Sequence, residues 1–238
     1  MKCRIQLFPL FTLFILYTLF VCDKTKLAGQ AIFPDKEYKE WQTVQLNPDL
    51  NAEEKVKSTV NTFFIIEYES WVKGTLFDFS FLFNQTNPKA YEDYAYERGL
   101  MYYKLEAWKL RDNLLERYEY LPEFYEFKVE GQKAILIMRP NASIFHQTAP
   151  NMSVNSPWTD YKFSLVFLND NWLIESIECN DEHREDLPHG TDFEKLAATI
   201  PERQKKFDAK VQEEYLERMQ NDPKYMEILE RRRLAKLL

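Results

Sequence analysis

The chain is poor in cysteine, glycine and histidine, with 3, 5 and 3 of them in 238 residues. Cys3 and Cys22 lie in or beside an apolar run at the N-terminus, which leaves Cys179 alone in the remainder. No intrachain disulfide framework can form there. Nor is there a glycine-rich phosphate loop, a Gly-x-Ser-x-Gly elbow or a metalloprotease His-Glu-x-x-His helix. Positive charge is short as well. The formal net charge is −7, and the one basic run, Arg231-Arg232-Arg233, stands near the C-terminus. Nucleic-acid binding needs lysines and arginines in number against phosphates, so no nucleic-acid partner is expected.

Aromatic residues are plentiful, with 18 Phe, 14 Tyr and 5 Trp. Such a chain buries a substantial core. The plain reading of the aromatics is packing. The sharper one is an aromatic-lined ligand pocket, for which Tyr68, Trp71, Tyr103, Trp108 and Tyr161 are the candidates.

Residues 1–31 read as a signal peptide or signal anchor. Lys2 and Arg4 supply a positive start, Leu7–Val21 is the apolar run, and Asp23-Lys24-Thr25-Lys26 closes it. A bilayer core wants about 20 apolar residues, so the run is short for a spanning helix. Three outcomes stay open. Leu19-Phe20-Val21-Cys22 resembles a lipobox, with Val21 departing from its small residue, and would make Cys22 a lipidated first residue. Leu27-Ala28-Gly29-Gln30-Ala31 offers a cut after Ala31. The third is an uncleaved anchor. All three place the body outside the cytoplasm, secreted or held on the outer face of the plasma membrane, with the membrane as partner of this segment.

Residues 32–50 show no clear period and are expected as a linker. Asn51 with Glu54 forms a capping-box pattern, and Val56, Val60, Phe63, Phe64 and Trp71 follow at helical spacing to Gly74. Leu76–Phe83 suggests a short buried helix or turn. A further helix opens at Asn87-Pro88 and is expected to reach Tyr120, with Gly99 as a place where it could split. The period then falls to two. Phe124–Val129 with Ala134–Met138, and Tyr161–Leu168 with Trp172–Cys179, read as two hairpins. Pro140–Trp158 between them reads as a polar connection. Phe193–Ile200, Pro201–Asn221 and Lys224–Leu238 read as charged helices, with Phe207, Val211 and Tyr215 a stripe of period four. They either fold back on the body or present a face to a protein partner.

Helices first and antiparallel hairpins after imply an α+β fold, N-terminal helices packed on a curved, cone-like antiparallel sheet, with a helical C-terminal extension. The expected division is residues 1–31, a linker over 32–50, the α+β domain over 51–182 and the charged extension over 183–238. This layout resembles the nuclear-transport-factor-two-like or ketosteroid-isomerase-like cone. More narrowly, Val56-Lys-Ser-Thr-Val-Asn-Thr-Phe-Phe-Ile-Ile-Glu-Tyr-Glu-Ser-Trp71 and Asp170-Asn-Trp-Leu-Ile-Glu-Ser-Ile-Glu-Cys-Asn-Asp-Glu182 are similar to the region before the amidase domain of some exported Gram-positive proteins. The chain ends where such a domain would begin, so the resemblance implies no amidase activity.

Chemistry-bearing clusters are sparse. Cys179 could pair with a histidine as nucleophile, yet a free cysteine ending a strand is usually core. Cys179, His183, Glu185, Asp186 and His189 are metal-ligand types, but their spacing matches no zinc or calcium site and reads as a solvated acidic loop. Neither metal nor cofactor is expected. A cone-fold enzyme would use a carboxylate and tyrosines in an apolar pocket, for which Asp160, Tyr161, Tyr68 and Tyr103 are the residue types. Asn84, Asn141 and Asn151 stand in glycosylation sequons. The expected function is that of a non-enzymatic accessory or binding domain, exported or membrane-tethered. The alternatives are a cone-fold enzyme acting on a small hydrophobic molecule and a spacer whose C-terminal helices hold a partner.

Overall fold

The computed structural model describes residues 29–155, 159–180 and 187–221. The Leu7–Val21 run, Cys22, His183, Glu185, Asp186 and the helix expected over 224–238 lie outside them. Among the described residues the fold is α+β, with helices before and after two antiparallel sheets.

The helices begin as their capping residues dictate. Helix α1 spans Asp35–Leu46, α2 Ala52–Lys73 and α3 Pro88–Leu110. At the start of α2 the Asn51 side chain accepts from the Glu54 N–H at 3.0 Å, and Glu54 accepts from the Asn51 N–H at 2.9 Å. Both orphan donors are thereby met. At its end Gly74 takes a left-handed φ of 62°, which costs a glycine little. Asn87 caps α3 with Pro88 in the first turn, and the helix passes through Gly99 unbroken.

The stretch expected as a linker contains α1, which turns Trp41 and Gln45 inward. The helical period was hidden because one of its buried positions is polar. Gln45 accepts from the Trp172 N–H at 3.0 Å and donates to the Lys55 carbonyl at 2.9 Å, so a glutamine serves as a core residue there. Upstream, Ile32 bridges Phe77 in parallel, and Gly29 is held from both sides. Its carbonyl accepts from Arg98 Nη2 at 2.6 Å and its N–H donates to Glu194 Oε1 at 3.3 Å.

Strands β1 (Leu115–Tyr120), β4 (Ala142–His146) and β5 (Ala149–Asn155) form one sheet in the order β1-β4-β5. Strands β2 (Glu123–Glu130), β3 (Lys133–Arg139), β6 (Tyr161–Leu168) and β7 (Asn171–Cys179) form the other, in the order β2-β3-β6-β7. Both expected hairpins, β2-β3 and β6-β7, are present and join through β3 and β6. Two expectations are corrected. The third helix stops at Leu110, where Asp112 takes a φ of 50°, and Leu115–Tyr120 is a strand. Its Tyr118 and Tyr120 share a face and donate to Glu69 at 3.1 Å and Asn61 at 3.0 Å on α2, a tertiary gain that outweighs local helix preference. The supposed connection Pro140–Trp158 contains β4 and β5. Pro150 and the polar residues of β5 suit an edge strand, which has a free side.

Helix α2 lies against β1 of one sheet and β2, β3 and β7 of the other, so it spans the core. Phe63 and Phe64, 5.0 Å apart, face Phe79, Phe83, Tyr120, Tyr161 and Phe163 at centroid distances from 5.1 to 6.3 Å, mostly edge-on. Such arrangements set the positive ring edge against the negative face.

Candidate functional site

The five aromatic residues expected to line a pocket do not share one space. Tyr68 and Trp71 are buried in the core. Tyr68 stacks on Tyr118 at 5.0 Å and meets Trp71 edge-on at 5.5 Å, while Trp71 meets Trp108 at 4.6 Å. These rings fill the volume between them. Tyr161 packs instead on Phe64, edge-on at 5.1 Å, and stacks on Phe163 at 6.0 Å. Tyr103 belongs to a second, smaller cluster of Tyr96, Leu100 and Phe193. Asp160, the carboxylate beside Tyr161, accepts from Arg139 Nε and Nη2, both at 2.8 Å. Asn84 of the first sequon is buried, with its side chain engaged by Thr86 and Glu175, whereas Asn151 of the third is exposed. Among the described residues no group of three metal-ligand types comes together.

Several phenols are held in their neutral form. Burial raises Tyr94, reinforced by the adjacent Asp78, well above the usual value near 10. Burial with Glu69 does the same to Tyr118, and burial with the neighbouring Tyr68 and Glu67 to Tyr120. An unfolded tyrosine loses its proton near pH 10, while these folded ones keep theirs. The native state therefore holds more protons above that pH, and stability falls as pH rises beyond about 10. The midpoint of urea unfolding should drop between pH 9 and pH 11, and less so in Tyr120→Phe. A midpoint that stays level over that interval would contradict the burial of these phenols.

Two surfaces stand out among the described residues. The first is a cleft of about 400 Å³ lined by the start of α3 and by β2, β3, β6 and β7 of the four-stranded sheet. Ala134, Ile135 and Leu165 floor it, and Lys89, Lys128 and Lys133 line it with Glu130 and Glu175. Ser164 and Ser176 sit opposite each other in register within it. Hydroxyls and ammonium groups over an apolar floor could accept a small polar ligand.

The second surface is the C-terminal arm, α4 (Phe193–Ala198) followed by α5 (Ile200–Asn221). Its base is built on α3. Phe193 packs against Gly99, where a Cβ would stand 2.2 Å from the ring. This is the reason for a glycine inside that helix, which the sequence left open as a break. Tyr103 accepts from Arg203 at 3.1 Å and Arg111 donates to Gln204 at 2.7 Å, pinning the first turn of α5. Beyond it, every residue from 205 to 214 is exposed, with Phe207 at 59% and Val211 at 47%. Ion pairs Glu202–Lys206 at 2.8 Å and Lys210–Glu214 at 3.8 Å brace the helix along its length.

Sequence reasoning missed the ionic residues that α3 buries beneath this arm. Asp93, Glu97 and Arg98 are 2%, 6% and 4% exposed. Asp93 Oδ2 accepts from the Ile177 N–H at 3.0 Å, and His189, stacked on Tyr96, places Nε2 3.8 Å from Oδ1. The available signal was that three charged residues interrupt the tyrosine-rich face of α3.

No family model and no curated protein matches the chain. Among solved structures it is similar to an NTF-2-like protein of unknown function from Shewanella oneidensis MR-1, at 12% identity. That likeness covers 52% of this chain and 98% of the other, with a TM-score of 0.32. It is also similar to a domain of unknown function with a cystatin-like fold from Nostoc punctiforme PCC 73102. There the identity is 14%, the coverage 69% and 99%, and the TM-score 0.35.

Proposed function

We propose that the protein is an exported or membrane-tethered, non-enzymatic binding domain of the cone-like α+β class. Its N-terminal segment is the tether and α5 is the arm that meets a protein partner. The observation that carries this reading is the full exposure of residues 205–214 around an apolar stripe, on a helix whose base is firmly docked. In proteins most of a helix's stability comes from packing its apolar face. The pinned base and the ion pairs keep α5 formed while the face of Phe207 and Val211 stays bare.

The tether rests on the sequence: the positive start, the Leu7–Val21 run and the charged stop. Among the described residues no helix is long and apolar enough to cross a membrane. A cut after Ala31 would remove Gly29 and leave Arg98, 4% exposed, without the carbonyl that accepts from it. A buried guanidinium stripped of its acceptor is costly. The reading therefore favours a tether through Cys22 or an uncleaved anchor. An enzyme acting on a small hydrophobic molecule would need the aromatic residues around one space, and Tyr68, Trp71 and Trp108 are packed on each other instead.

The test is a photo-reactive residue at position 207 of the full chain, compared with one at exposed Lys39 on α1. Position 207 should give a discrete protein adduct and position 39 none. Adducts of lipid alone, or the same pattern at both positions, would overturn the arm.

A further inference from the structure

The arm has a chemistry that says which partner it fits. From Ile200 to Lys210, helix α5 carries Arg203, Lys205, Lys206 and Lys210 against Glu202 and Asp208, a net +2. From Val211 to Asn221 it carries Glu213, Glu214 and Glu217 against Arg218, a net −2. The sign reverses at the middle of the helix, where Val211 stands. In the sequence the stripe Phe207, Val211, Tyr215 is also centred on Val211.

We infer that α5 docks against α5 of a second copy of this chain, antiparallel, with the two Val211 residues on the twofold axis. This rests on the arm reading above and names its partner. Each basic half then lies along the acidic half of the other copy, whereas a parallel pair would set like charges together. The same antiparallel register places Phe207 of one copy opposite position 215 of the other. Lys210 of each copy comes alongside Glu214 of the second. An anionic lipid surface fits less well, because it would attract the first half and repel the second. Two such helices bury a modest apolar area, so the pair is weak when free. Tethering both copies to one surface raises their effective concentration and favours it.

The test uses the full chain in the membranes of producing cells, with single cysteines introduced and mild oxidation applied. Val211→Cys should give a disulfide dimer at least ten times above the unsubstituted chain, whose own cysteines set the background. Phe207→Cys and Tyr215→Cys should each dimerise poorly alone and efficiently when the two variants are made together. Changing Lys205, Lys206 and Lys210 to Glu in the Val211→Cys chain should lower the dimer yield. Co-expression with a Val211→Cys copy carrying Glu213, Glu214 and Glu217 as Lys should restore it. Positions 205–214 and 217 are exposed, so substitutions there leave the fold intact. No dimer above background from Val211→Cys, or Phe207→Cys dimerising best alone, overturns the inference. A position-207 photo-adduct to a different protein, with no Val211→Cys dimer, would reject self-pairing and leave the arm standing.

Discussion

Phe63→Ala is expected to lower the free energy of unfolding by about 3–5 kcal/mol, the usual range for a large aromatic truncated in a packed core. Phe63 is 2% exposed and touches the rings of Phe64, Phe79, Phe83 and Phe163. Those four come from α2, the loop between α2 and α3, and β6. Removing the ring at their centre leaves a void that no single element can close by shifting. Domains of this size are stable by only about 5–15 kcal/mol, so the variant would sit near the edge of folding. Urea unfolding at pH 7 measures it through a lower midpoint at unchanged slope. Phe63→Leu, which keeps most of the volume, should lose clearly less. Equal losses for alanine and leucine would mean that the ring contacts are not what holds this centre.

Asp93→Ala should cost about 2–3 kcal/mol, the range for a hydrogen bond to a charged group in a buried site. The carboxylate is the acceptor of the Ile177 N–H on β7, the edge strand of its sheet, where no further strand is present to receive it. Lys89 at 3.5 Å and His189 at 3.8 Å are more than half exposed and add little through screened charge. The main loss is therefore a buried N–H with no acceptor. Asp93→Asn keeps a carbonyl oxygen in place and should recover more than half of the effect. If asparagine proves as damaging as alanine, the charge and not the acceptor is what matters at this position.

The parts of the fold that were legible beforehand are those where local chemistry and tertiary packing agree. The capping box at Asn51, the Gly74 stop and the two hairpins with their alternating apolar residues each state their structure within a few residues. The parts that were not legible depend on partners far along the chain. α1 buries a glutamine because Trp172 and Lys55 are there to bond it. β1 leaves the helix because Glu69 and Asn61 receive its tyrosines. At the candidate sites the same division holds. The stripe of Phe207 and Val211 could be read from spacing and is exposed on the structure. The aromatic pocket could not be judged from residue types, because rings that line a cavity and rings that fill one have the same composition. Tyr103 illustrates this, since its hydroxyl serves the base of the arm through Arg203.

The hold on Gly29 has a bearing on the order in which the molecule is assembled. A chain made from its N-terminus presents Gly29 long before Glu194, 165 residues later, has been synthesised. The Arg98 half of the hold becomes available early, and the Glu194 half only after α4 has appeared and seated Phe193 on Gly99. The C-terminal extension thus acts as a clasp that fastens the beginning of the body last. Until it closes, Gly29 is held through its carbonyl alone. A nascent chain halted before residue 193 would carry its core with Gly29 half held, so limited proteolysis near Gly29 should report when the arm has been built.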